Sequence, residues 1–384
     1  MKFYKGHYKS KIFICVSLWF LIVGSYYQAL AVEDTYQTVR NFPEAEMPII
    51  LNLITSGIRD NYERIITWSG EIDKKITWVH TGSLAKDIFK NATDAKGEVP
   101  DSILQKAEDK ITFAVDANKN FVYVDTLRDK PSTYFNYNTG AEVGNSGPSP
   151  IWSTVIARPD FLLKADAHSF EKGTGRLLHK KAEKKLSKQE SQKGLYEGRY
   201  DPRRAFFPGS DFTWDSLADL IKRINKYGKM EFDGYSLKIE KRIKGDIIEY
   251  KIIQPGVVNL ERSDPNHYVI LTKIFSSKCG FNMIYFEAAT GSGMVFQEYT
   301  WEYELIGGIY LPKRVIVRLY GSKGKMTNEY DSTYKNNKVN QGISPETFEY
   351  QNLNLRDGDE FIDKILNKEY RYKAATRTLE PVEK

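Results

Sequence analysis

Apolar positions along this chain follow three different rhythms. Ile12 to Gly24 is a nearly unbroken apolar run of 13 residues, behind a head that carries four lysines and no acid up to Lys11. Such a run is short of the roughly 20 residues that span a bilayer, and Ala29-Leu30-Ala31 follows it as a small-x-small site. Basic head, short apolar core and small-residue site together predict a secretory signal peptide over 1–31, cleaved after Ala31, and an exported, periplasmic chain.

The second rhythm is helical. Pro43 and Glu44-Ala-Glu46 open a segment in which Ile49, Leu53, Ile54 and Ile58 recur at three- and four-residue spacing. Trp214, Leu217, Leu220, Ile221 and Ile224 repeat the pattern behind a capping Asp211 or Thr213 and stop near Gly228. The third rhythm alternates. Trp68 to Val79 reads as strand, and Ile111, Phe113 and Val115 turn at Ala117–Asn120 into Phe121–Asp125, a hairpin. From Tyr235 onward the alternation is nearly continuous. Strands around 235–239, 248–252, 267–275, 283–288, 294–305, 309–320 and 326–334 are punctuated by Lys244-Gly-Asp246, Gly291-Ser-Gly293 and Gly307-Gly308. Sequential strands joined by short turns form an antiparallel sheet, because parallel neighbours need long crossovers. Along 294–303, Tyr299, Trp301 and Tyr303 share one face while Glu298, Thr300 and Glu302 share the other, so one face is aromatic and the other wet.

These rhythms predict an α+β fold, a strongly curved antiparallel sheet (a half-barrel) packed with a few helices. Its parts are an N-terminal helix with the first strands (32–137), a polar, basic insert (138–211), and a helix with a long meander (212–384). A long twisted sheet curls, and two helices cover its apolar face incompletely. An incompletely covered concave face takes an apolar ligand or a protein partner. The expected wall is Tyr299, Trp301 and Tyr303 with Ile248, Tyr250 and Ile252 across the sheet; the same aromatics equally suit an ordinary sheet core.

Charge narrows the partners. The chain has 56 basic and 50 acidic residues, and removing the signal leaves 52 against 50. That near-balance excludes a nucleic-acid-binding protein, whose basic excess dominates. Arg176 to Lys193 departs from it, with seven basic residues against two acids. Lys180, Lys181, Lys184 and Lys185 are its candidate contacts with an anionic membrane or cell-wall surface. The alternative is a solvated segment without a partner.

Chemistry-bearing motifs are sparse. His80, His168, His179 and His267 show no metal-binding spacing, and Cys279 is the single cysteine beyond the signal, so no zinc set and no internal disulfide arise. No phosphate-cradling glycine loop and no Gly-x-Ser-x-Gly elbow occur. Asp357-Gly-Asp-Glu360 with Asp363 lacks the spaced oxygens of a calcium loop and reads as a turn. Asp201-Pro-Arg-Arg204 reads as a turn with an internal ion pair, or as an arginine fork for a carboxylate. The expectation is no catalytic residue, no metal, no cofactor and no enzymatic activity.

Several segments, in order, resemble outer-membrane lipoprotein-sorting proteins, the LolA-like periplasmic carriers, and in particular their large exported branch in planctomycete-type bacteria. They are Ile58–Gly70 with its Tyr-x-x-Ile run, Asp201-Pro-Arg203, Tyr303–Lys313 with its Gly-x-Tyr-Leu-Pro turn, Val339-Asn340, Ile343–Phe348, Leu355–Asp363 and Tyr370-Arg-Tyr372. The resemblance implies a half-barrel closed by helices around a cavity that shields the acyl chains of a lipid or lipoprotein. It also implies an alternative, since related half-barrels serve as periplasmic stress sensors, regulatory protein–protein modules with a filled core.

Overall fold

A computed structural model describes residues 37–147, 151–170, 177–186, 214–227, 231–232, 235–257, 268–321 and 324–382. The signal segment, the cleavage site, Asp201-Pro-Arg-Arg204 and His267 lie outside these residues.

The chain enters as strand β1 (Gln37–Asn41) and passes into helix α1 (Met47–Glu63). Strands β2 (Thr67–Thr81) and β3 (Ser102–Asp116) pair antiparallel along their whole length, with helix α2 (Gly82–Asn91) inserted between them. Then come β4 (Phe121–Arg128), β5 (Thr133–Asn136), β6 (Glu142–Asn145), β7 (Ile151–Ala157), β8 (Phe161–Phe170) and β9 (Leu177–Leu186). Helix α3 (Trp214–Tyr227) precedes a small β10/β11 ribbon (Glu231–Phe232, Tyr235–Ser236). The meander is β12 (Lys238–Lys244), β13 (Ile247–Val257), β14 (Tyr268–Ser276), β15 (Met283–Thr290), β16 (Val295–Ile306), β17 (Ile309–Tyr320) and β18 (Met326–Val339). Short strands β19 (Glu360–Asp363), β20 (Lys368–Lys373) and β21 (Thr378–Pro381) end the described chain.

Pairing puts β1 beside β12, runs through the meander to β18, crosses to β2, β3 and β4, and continues through β7, β8, β9, β19, β20 and β21. β5 pairs with the first residues of β3, and β6 pairs with β5. Every pairing named is antiparallel except β9 with β19. Among the described residues the sheet does not close: β1 and β21 each have one neighbour. Register shifts recur, at Ile274/Phe275, Ala288/Ala289, Glu302/Tyr303 and Leu319/Tyr320, and each such bulge bends its strand. The half-barrel of the sequence reading is therefore the observed fold, and its meander strands fall where alternation put them.

Within 138–211 the described residues form strands β6 to β9, and β7 to β9 extend the sheet from β4. The segment's polar composition hides strands because each pairs its backbone whatever its side chains, and β9 alternates Lys184 with Ala182 on one face and Glu183 with Lys185 on the other.

Side-chain alternation divides the apolar residues between two cores on opposite faces. From β3, Phe113 joins the larger core and its neighbour Ala114 the smaller; from β4, Val124 packs on the first while Phe121 and Tyr123 pack on the second. The larger core is roofed by α1 through Leu51, Ile54 and Ile58 and by α3 through Leu217, Leu220, Ile221 and Ile224. Contacts hold α1 closely. Asn61 donates to the Tyr310 carbonyl (2.8 Å) and accepts from the Tyr310 N–H (2.7 Å), so a side-chain amide completes the edge of β17. Gly57 lets the helix approach the Gly280 carbonyl so closely that an added Cβ would sit 2.8 Å from it. At the end of α1, Asn340, in the left-handed region (φ 56°), accepts from the N–H groups of Ile66 and Thr67 and donates to the Arg64 carbonyl. The smaller core is covered by two single-turn helices, Pro345–Phe348 and Tyr350–Leu353.

Candidate functional site

The face under α1 and α3 carries the residues singled out from the sequence, and all six belong to or pack on the same core. They do not play one role. Tyr250, Ile252 and Trp301 are sealed, at 6%, 0% and 5% exposure, because the helices cover their part of the sheet. Ile248, Tyr299 and Tyr303 remain half-buried. Tyr299 stacks on Trp301 with ring centres 5.5 Å apart and meets Phe286 edge-on at 5.8 Å. Its hydroxyl accepts from Gln297 (2.8 Å), and the Tyr303 hydroxyl donates to the Met283 carbonyl (2.8 Å). Both phenols thus have their polar ends satisfied while their rings pack on the core.

Register extends the wall. Ile252, Lys273, Phe286, Tyr299, Val317 and Tyr330 stand directly opposite one another across β13 to β18. One step away from the helices the row reads Gln254, Leu271, Ala288, Gln297, Leu319 and Asn328. In this outer row Leu271 and Leu319 are half-buried. Toward β2–β4 the same face becomes polar. Trp78 donates to the Tyr330 hydroxyl (3.1 Å), and Lys74 lies 4.9 Å over the Tyr330 ring. Arg128 grips Asp109 through two N–H···O bonds of 2.7 and 3.2 Å, with its guanidinium 5.7 Å from the Trp78 ring. The inner face is thus apolar under the helices, aromatic and half-open beside them, and charge-paired at its far end.

Lys273 is the residue the sequence reading passed over, although alternation of Val269, Leu271, Lys273 and Phe275 placed it inward. It is 3% exposed, donates to Gln254 Oε1 (2.9 Å), and burial pulls its ammonium from the usual range down to about 7. Water removed from an amine disfavours its charged form.

The opposite face is built for solvent. Arg318 lies 2.8 Å from both Glu298 and Glu329, and Arg314 pairs with Asp331 at 2.8 Å, so charges of opposite sign form ladders across β16 to β18.

The described part of the basic segment is strand β9. Lys184 and Lys185 are adjacent on β9 and so belong to opposite faces. Lys184 turns onto the smaller core, 3.6 Å from Asp363 and 5.0 Å over the Phe161 ring. Lys180 and Lys181 occupy the same strand opposite Ala167 and Asp166; their side chains lie outside the description. Asp357, Asp359 and Asp363 are turn residues, since their carboxylates accept backbone N–H groups of Ala374 (3.1 Å), Arg356 (2.7 Å) and Ile365 (2.9 Å). Cys279 is buried, and burial beside Glu249 pushes its thiol up to about 12. Among the described residues no group of three His, Cys, Asp or Glu is placed to hold a metal ion, and no helix is long and apolar enough to cross a membrane.

With this geometry in view, comparison with solved structures returns chains of low similarity. A DUF1329 family protein from Desulfovibrio piger matches with 10% identity over 79% of this chain and 97% of that one, at a TM-score of 0.30. A LolA superfamily protein from Nitrosomonas europaea shares 11% identity over 78% and 99% (TM-score 0.27), and an outer membrane lipoprotein-sorting protein domain from Vibrio parahaemolyticus shares 10% over 78% and 97% (TM-score 0.26). No family model and no curated protein matches the chain.

Proposed function

We propose that the protein is an exported, periplasmic, non-enzymatic carrier that holds acyl chains, of a lipid or a lipoprotein, or another apolar ligand against the inner face of the half-barrel. The observation that carries this reading is the half-buried row beside the helices. Tyr299 and its cross-strand partner Val317, with Tyr303 further along β16 and Leu271 two strands away on β14, are inner-face residues that pack on the larger core and stay half-buried. Transfer of a chain from water onto such residues recovers roughly 0.8 kcal/mol per methylene, so ten methylenes supply about 8 kcal/mol before ordering costs. The charge-paired end around Arg128, Asp109 and Lys74 then receives the polar part of the ligand.

The test is extraction and native mass spectrometry of the chain from Val32 to Lys384, made in a periplasmic host. A stoichiometric lipid that is lost in Val317→Asp, with thermal unfolding still cooperative, supports the carrier. Val317 is the better probe than Trp301, because Trp301 lies in the sealed core and its substitution unfolds the roof along with the wall. A second reading, a regulatory interaction module, is favoured by Ile49 and Leu53, exposed one turn apart on the outer side of α1. An apo protein that leaves an apolar dye unbound would support that reading instead.

A further inference from the structure

The smaller core borders a half-open cavity that the inner-face site does not use. It has a volume of about 250 Å³ and lies on the other side of the sheet, between β8, β9, β19 and β20 and the single-turn helix at Tyr350. Its walls are Phe161, Leu163, Phe361, Tyr370 and Leu379. Phe361 meets both Tyr350 and Tyr370 edge-on with centres 6.2 Å apart, a fixed aromatic corner.

Charges of both signs open into this apolar space, each with a partner of its own. Lys184 lines the cavity 3.6 Å from Asp363, longer than a good hydrogen bond, with 29% of its side chain exposed. Asp363 is held from behind. One of its oxygens accepts the N–H groups of Ile365 (2.9 Å) and Leu366 (3.0 Å), which fixes the carboxylate in place and leaves the other toward Lys184. Glu349 lines the same cavity and is gripped by Arg158 at 2.6 Å. The lining thus sets one ammonium, Lys184, against two carboxylates, Asp363 and Glu349, the second of them held by Arg158 outside the lining, and is strongly dipolar. A net anion meets two carboxylates, and a net cation meets the resident ammonium. A zwitterion satisfies both.

Size limits the ligand further. The volume falls just below the roughly 300–1,000 Å³ of pockets that take drug-sized ligands. From this combination we infer that the cavity is a binding site for a small apolar zwitterion, of the size and chemistry of an aromatic or branched-chain amino acid. The ligand's carboxylate meets Lys184, its ammonium the carboxylates of Asp363 and Glu349, and its side chain lies among Phe161, Phe361 and Tyr370.

Isothermal titration of the exported chain with L-phenylalanine, phenethylamine and 3-phenylpropanoate tests this directly. Phenylalanine should bind, and each analogue, lacking one charge, should bind about tenfold or more weaker, as expected for a lost charge-assisted contact. Lys184→Met should abolish phenylalanine binding while the melting transition stays cooperative. Leu379→Trp, which fills the cavity from its edge, should abolish it without touching a charge. The inference is overturned if an analogue binds as tightly as phenylalanine, if Lys184→Met binds normally, or if none of the three compounds, nor leucine, binds at millimolar concentration.

Discussion

Lys273→Met isolates the energetic cost of placing an amine in the wall. Lys273 is 3% exposed, and burial lowers its pKa from 10.5 to about 7. The sign follows from proton binding. Between pH 7 and about 10.4 the unfolded chain holds this proton and the folded chain does not, so stability rises with pH across that window. Below pH 7 both states are protonated, and the folded state carries the full penalty. A gap of about three and a half pK units corresponds to about 4–5 kcal/mol, which the Gln254 hydrogen bond partly offsets by favouring an ordered side chain. Methionine has similar length and no charge to desolvate. Denaturant unfolding at pH 6, 7, 8 and 9.5 should show the variant more stable than the parent by about 2–4 kcal/mol at pH 6, with the advantage shrinking by about 3 kcal/mol toward pH 9.5. Parallel stability–pH curves for the two proteins would refute the placement of a buried, deprotonated amine at this position.

Other perturbations test the supports of the site. Gly57→Val drives a branched side chain into the Gly280 carbonyl and should cost about 3 kcal/mol or more, read by denaturant unfolding, whereas Gly57→Ala should cost less but still lose stability. Asn340→Ala removes three hydrogen bonds at the end of α1 and a residue suited to positive φ, and should cost about 2–3 kcal/mol; Asn340→Gly should recover part of that by restoring the backbone conformation. The Cys279 thiol, buried and pushed up to about 12, should react with an aromatic disulfide reagent at pH 8 only as fast as the protein unfolds, and the chain should run as a monomer on a non-reducing gel.

The parts of the fold that were legible in the sequence share a physical basis. β12 to β18 alternate apolar and polar residues against a buried face and turn at Lys244-Gly-Asp246, Gly291-Ser-Gly293 and Gly307-Gly308, so both period and punctuation were written in the residues. β9 was not legible, because a strand pairing with β8 and β19 satisfies its backbone whichever residues it carries, and its parallel partner lies far along the chain. Helix α2 was missed because it interrupts a long hairpin with few apolar residues, of which Ala85 and Phe89 are buried against Ile103 and Tyr134. For the candidate wall, alternation identified the face of Tyr250, Ile252 and Trp301, and it could not say which positions on that face the helices would seal. That depends on where α1 is pinned by Asn61 and Gly57, contacts that join residues more than two hundred positions apart. The Lys184–Asp363 cavity was invisible for the same reason, since it draws on β8, β9, β19 and β20 together.

The central claim is that the half-buried row beside the helices holds an acyl chain. Native mass spectrometry of the exported chain, purified without detergent and paired with lipid extraction, tests it most directly. The account predicts one bound lipid per chain, lost on Val317→Asp and retained on Lys184→Met, whose cavity lies on the opposite face. A lipid-free parent that also fails to take up an acyl-chain probe in solution would contradict it.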